Sequence, residues 1–228
     1  TVGGNATIAS NRSTGGSGVT HTLGTLGMGP HTLSVIAGAN ATSGTAGITF
    51  GATTLSGNAT FDVVNSGSAD ARLTLGAMGQ SGGARSLTKT GAGTMLLSGT
   101  ANTYTGATSV SGGVLLLGKS AMDGAIPTDL IVDGATVRSA ANEQIAPSGI
   151  VTLNGGSVLD LNGFTETIGN LSLDGGAVTT GAGTLIVTGG IVQNTSAASA
   201  ISGRLDLGGG VRTITSNDGP GAAIDLDI

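Results

Sequence analysis

Apolar and polar positions along this chain alternate in short runs that end on glycine, and the same ending keeps returning. Val110-Ser111-Gly112-Gly113, Val132-Asp133-Gly134-Ala135, Leu153-Asn154-Gly155-Gly156 and Leu173-Asp174-Gly175-Gly176 each read as an apolar residue, a small polar or acidic one, Gly, then Gly or Ala. The first glycine of each element falls at position 112, 134, 155 and 175, in steps of 22, 21 and then 20. Each element predicts a strand closing in a turn, because glycine tolerates positive φ where the backbone reverses and Asn or Asp before it bonds locally. The strands expected next, Val114 to Leu117, Val158 to Leu161 and Leu185 to Val187, carry aliphatic and β-branched residues that suit a pleated, half-buried surface.

A second recurrence is gapless: Thr90 to Gly99 reads TGAGTMLLSG and Thr180 to Gly189 reads TGAGTLIVTG. Internal repeats of this kind point to stacked units. A hairpin sandwich would place a turn signal about every ten residues, and some glycine spacings allow that. An interval of about 21 residues favours instead a parallel β-helix, a β-solenoid with three short strands and three turns per rung. Rungs stack roughly 4.8 Å apart, so 228 residues predict on the order of eleven rungs in a rod about 50 Å long. Helical signals are sparse; Arg138 to Ala146 is the one stretch that could form two helical turns, and it reads equally as a loop. Neither a charge run nor a Pro-rich linker marks a boundary, so residues 1–228 read as one continuous domain, with 10–29 its most irregular part.

Composition narrows the interior. Of 228 residues 44 are Gly, 9% are charged and 2% are aromatic, which predicts a narrow aliphatic core rather than one built on rings. A mean hydropathy of +0.31 with 38% hydrophobic residues excludes a solvated coil. Absence of cysteine excludes disulfides and thiol chemistry. A net charge of −5 with eight unclustered basic residues argues against nucleic-acid or anionic-membrane partners. No run approaches the roughly 18 apolar residues of a membrane span. Thr1 is not an initiator Met, so the chain reads as a segment of something longer.

Candidate chemistry is thin. His21 and His31 share a His-Thr-Leu context ten positions apart, which reads as two equivalent strand positions rather than a metal pair, since no Cys or acidic ligand is near. Gly91-Ala92-Gly93 and Gly24, Gly27 and Gly29 lack the helix and Lys-Ser/Thr of a phosphate loop. Asp160, Asp206, Asp225 and Asp227 alternate with apolar neighbours, which points them outward. If Asp160 and Asp206 lie two rungs apart they stand on the order of 10 Å from each other, close to the roughly 6.5–9.5 Å of an inverting glycosidase pair. Without aromatic platforms for sugar rings, solvated aspartates are the expected reading. No serine-protease string occurs, and Thr20-His21-Thr22 does not recur at the rung period as an ice-binding ladder would. Six Asn-x-Ser/Thr sequons stand at Asn5, Asn11, Asn40, Asn58, Asn170 and Asn194. Tyr104 is expected to seal a corner. No catalytic, cofactor-binding or metal residue is assigned.

Residues 87 to 118 contain LTKTGAGT, LSG, ANTYTG and a V-x-x-G-x-L strand, and this string resembles the autotransporter-associated β-strand repeat of bacterial passenger domains and related giant surface proteins. Val151 to Gly190 is similar to the region that commonly follows it. The resemblance implies a right-handed parallel β-helix exposed at a bacterial cell surface, and no shared catalytic residues. It departs in its last residues, AAIDLDI, which carry no amphipathic barrel strands. The expected function is a non-catalytic extracellular spacer or fibre segment whose partner is itself, head-to-tail or laterally. The alternative is an adhesin that binds a glycan or another cell through an outer face or a loop at Ser120 to Asp129 or Gln193 to Ser202; a polysaccharide-cleaving enzyme ranks third.

Overall fold

The computed structural model describes residues 1–194 and 197–216 and the backbone of Leu226–Asp227. The chain winds as a β-solenoid whose strands pair in parallel with the turns before and after. One side is a sheet of ten stacked strands from Ala6–Ser10 to Ile214–Ser216. The second sheet runs from Thr20–Thr22 to Leu226–Asp227. Ten strands in the first sheet bound nine turns, a stack of roughly 43 Å at ~4.8 Å per turn.

Alternation dictates which side chains enter. In the first sheet Leu87, Thr108, Leu130, Val151, Leu171 and Ile191 are in register and buried. The next inward column is Lys89, Val110, Val132, Leu153, Leu173 and Gln193. Met95, Leu115, Val137, Leu159 and Val178 face them from the second sheet. Each fully buried aliphatic side chain contributes about 1.5–3 kcal/mol, and repetition of that gain along the stack takes the place of aromatic anchors. Tyr104, buried beside this core, bonds Thr108 Oγ1 through its hydroxyl at 2.6 Å.

The glycine column stands where the recurrence requires. Gly112, Gly134, Gly155 and Gly175 each come two positions after one of the registered partners Val110, Val132, Leu153 and Leu173, so all four fall at one corner of successive turns. Gly113 and Gly175 hold φ of 59° and 86°, and a Cβ on Gly113 would run into the Gly93 carbonyl.

Turn length separates two regions. Ala6, Leu33, Phe61 and Lys89 are successive register partners, so the first three turns advance the numbering by 27, 28 and 28. From Leu87 onward the partners Thr108, Leu130, Val151, Leu171, Ile191 and Ile214 advance it by 21, 22, 21, 20, 20 and 23. The three long turns take up about 20 residues more than a uniform 21-residue period would, which accounts for one of the two turns by which nine falls short of eleven.

The third side also differs from the expectation of three strands in every rung. It is a small sheet in the long turns, Leu26–Met28, Thr53–Leu55 and Met78–Gln80, and resumes as Glu166–Ile168 against Leu185, Ile186 and Val187. Between these, no extended strand forms, and buried side chains supplement a sparse backbone pairing such as the Ile126–Ile145 bridge. Asn102 accepts the Met78 N–H at 3.0 Å and donates to the Ala125 carbonyl at 2.8 Å. Gln144 accepts the Lys119 N–H at 2.7 Å, and Glu166 accepts the Gln144 and Ile145 N–H groups at 2.9 Å. An unpaired buried backbone group costs ~1–3 kcal/mol, which is what these three side chains avert.

Among the described residues no helix forms: Thr136–Ser139 is a strand and the rest of Arg138 to Ala146 is corner. The stretch expected to be irregular, 10–29, carries the short strands Gly16–Ser17, Thr20–Thr22 and Leu26–Met28. The gapless repeat occupies two different corners. Thr90 to Gly99 turns from the first sheet into the second, whereas Thr180 to Gly189 turns from the second sheet onto the third side. Gly91 and Gly181 share positive φ, 75° and 62°, so the motif encodes a corner followed by a strand at either place.

Candidate binding face

The outer face of the first sheet presents three columns across the short turns. Asp129, Ile150 and Asn170 stand at the strand entries, Ile131, Thr152, Ser172 and Val192 along the centre, and Asp133, Asn154, Asp174 and Asn194 at the exits. Ile131 is 38% and Ile150 46% exposed. An open depression of about 420 Å³ is lined by Ile150, Thr152, Asn170, Ser172, Val192 and Asn194. Its rim is held by inter-turn bonds: Asp129 accepts the Ile150 N–H at 2.9 Å, Asn170 the Gly190 N–H at 2.9 Å, and Asn194 donates to Ser172 Oγ at 2.9 Å. The floor is therefore pre-formed and mixed in character, with the aliphatic Ile150 and Val192 set around the hydroxyls of Thr152 and Ser172 and the amides of Asn170 and Asn194.

The residues singled out for chemistry are scattered. His21, exposed in the edge strand of the second sheet, bonds the Asn11 carbonyl at 3.0 Å. His31 lies at the entry to the first sheet, outside any strand, so the two are not equivalent positions. Asp160 points outward and pairs with Arg138 at 2.7 Å. Asp206 is registered with Ile186 on the third side, past the corner that follows Thr179, the register partner of Asp160. That corner separates the two carboxylates, so the structure does not bring them together as an acid–base pair. Asp225 lies outside the described residues, and the backbone of Asp227 pairs with Ala200. Among the described residues no group of three or more His, Cys, Asp and Glu is set to hold a metal ion. Four sequon asparagines are caps between turns: the oxygens of Asn5, Asn11, Asn58 and Asn170 accept the N–H of Thr32, Asn40, Ser86 and Gly190. Ser120 to Asp129 is the third side of its own turn, with Ala125 and Ile126 in the core, rather than an inserted loop. In Gln193 to Ser202, Gln193 ends one strand and Ser199 begins the next; residues 195 and 196 lie outside the described set.

Sequence reasoning missed the buried ionisable groups. Both lysines of the chain point inward. Lys89 Nζ donates to the carbonyls of Thr90, Gly91 and Gly112 at 3.1, 2.9 and 2.9 Å. Lys119 Nζ donates to those of Gly76 and Ser98 at 2.7 and 2.6 Å, which ties three successive turns. Burial pulls both ammonium groups down to about 8, with Asp62 opposing the shift at Lys89. Burial raises Glu166 to about 8 against the two backbone N–H bonds it accepts, and Glu143 and Asp123 add to the rise. Leu87-Thr88-Lys89-Thr90 held the signal for Lys89, because strict alternation from a buried leucine sends the lysine inward.

The stretch that contains Lys89 also matches a known family model. Residues 87–117 match the model of the passenger-associated transport repeat. Over these residues the chain is similar to that repeat. Over 129 residues, 56% of this chain, it is 37% identical to the adhesin BmaC autotransporter of Brucella suis biovar 1 (strain 1330). The chain spans 4% of that relative's length. No solved structure matches. In the fold the matched segment is the joint between the two turn sizes. Leu87–Thr90 stacks on Ala59–Val64 of the last long turn, the first short turn runs from there through Tyr104 to Thr108, and the match ends in the strand Val114–Lys119 of the next turn.

Proposed function

We propose that this chain is a rigid, extracellular segment of a bacterial surface protein of the autotransporter passenger type, a mechanical spacer without catalytic activity. The observation that carries the reading is continuity: the first sheet runs unbroken through nine turns over a core of buried, mostly aliphatic side chains, across the change in turn length. Parallel strands bonded on both sides resist bending and protease access, so length translates into reach. The adhesin relative supports a surface location. The test is replacement in the parent protein displayed on cells. A foreign solenoid of equal turn number is expected to preserve display and reach, and loss of attachment on replacement counts against a spacer.

A second reading, an adhesive face, is favoured by the exposed Ile131 and Ile150 and the depression beside them. Replacement of the segment separates the two readings, because a spacer tolerates it and a binding face does not.

A further inference from the structure

Charge is distributed unevenly along the stack. Between residues 120 and 203 the sequence holds seven carboxylates, Asp123, Asp129, Asp133, Glu143, Asp160, Glu166 and Asp174, and one cation, Arg138. That arginine is engaged by Asp160 on the second sheet. The outer face of the first sheet over these turns therefore shows the aliphatic side chains of Ile131, Ile150 and Val192, with the hydroxyls of Thr152 and Ser172 between Ile131 and Val192 in the central column, beside the carboxylates of Asp129, Asp133 and Asp174, with no cation among them. Exposed apolar side chains framed by one sign of charge attract a partner of the opposite sign that also has aliphatic surface.

We propose that this face docks an extended cationic peptide segment, lying along the central column from Ile131 to Val192. The inference rests on the adhesive reading of the face and adds the chemistry of its partner. A peptide fits better than a glycan because the face has no ring to stack on: Phe50, Phe61 and Tyr104 are buried, and Phe164 stands on the third side. Four turns at ~4.8 Å span about 14 Å, the reach of roughly four to five extended residues. Lysine or arginine at alternate positions meets the flanking aspartates, while the aliphatic residues between them cover the isoleucines.

The probe is a fluorescent peptide of about eight residues alternating Lys and Val, compared with Glu-Val and Ser-Val peptides of equal length, by anisotropy on the whole chain. The expected result is a preference for the Lys-Val peptide that falls steeply between about 0.05 and 0.5 M salt. Asp133→Asn with Asp174→Asn is expected to weaken binding about fivefold to tenfold, while asparagine keeps the bond Asp174 accepts from the Asn194 N–H. Ile150→Thr is expected to weaken it about threefold. Val158→Thr, on the outer face of the second sheet, is expected to leave it unchanged. Equal binding of all three peptides, lost on Ile150→Thr, overturns the partner's chemistry and leaves the adhesive reading standing. Lys-Val binding indifferent to the aspartate and Ile150 variants overturns the docking face. Binding of no peptide overturns the inference, and capture of a second copy in place of the peptide, seen by sedimentation, does the same.

Discussion

The three long turns and the six short ones solve the same problem with different means. The long turns, with register steps of 27 or 28, spend the extra length on a third sheet, so their backbone polar groups are met by neighbouring backbone. The short turns have too little chain for that throughout, and from Asn102 to Glu166 buried side chains complete the bonding. Backbone pairing tolerates exchange of side chains, whereas a carboxamide or carboxylate cap does not. The short turns are therefore the region in which single residues matter most.

The strongest way to sharpen that contrast is at the corners. Gly113→Val puts a branched side chain at φ 59° against the Gly93 carbonyl and should cost about 3 kcal/mol or more. Gly83→Ala, in a long-turn corner with open space around it, should stay within about 0.5 kcal/mol of the parent. Equal losses in denaturant unfolding would erase the distinction.

At the joint, Lys119→Met leaves the Gly76 and Ser98 carbonyls without their donor and is expected to lower stability by about 2 kcal/mol. Limited proteolysis should then cut first near the joint, and unaltered cleavage there would argue that the ammonium ties nothing together.

Acidity offers a third handle. Glu166 has its pKa raised in the fold to about 8, so the stability it confers is complete below its unfolded value and drains away as pH rises to about 8. The lysines have theirs lowered to about 8. The cost of burying them charged is constant below that and is relieved as pH climbs toward their unfolded value. Melting temperature should fall from mildly acidic pH to a minimum near 8 and recover above it. Glu166→Gln should remove the falling limb; its persistence in that variant would assign it to other carboxylates.

The smallest expected effect lies at the inter-turn caps. Asn170→Ala and Asn58→Ala each remove one side-chain acceptor, with an expected loss of about 0.5–1.5 kcal/mol in either region. A larger loss at Asn58 would reverse the claim that long turns are the more forgiving.

Strands, parallel stacking and the glycine corner were legible because each depends on a local rule, alternation or positive φ, repeated at one interval after residue 87. The long turns were not, since residues 1–86 carry no comparable glycine element and their extra strands, such as Thr53–Leu55, are very short. Nor was the third side of the short turns: Asn102, Gln144 and Glu166 are polar residues in corner stretches, and burial there follows from the neighbouring turn rather than from their own surroundings in sequence. The outward Ile150 was readable in principle. Alternation that buries Val151 and Leu153 leaves it on the surface, where an aliphatic residue is unexpected.

Burial of both lysines has a practical reach beyond stability. A folded molecule shields these amines from acylating reagents, so lysine labelling becomes a clock for opening of the joint. Mass spectrometry of peptides carrying Lys89 and Lys119 would read how often the stack opens at these two turns.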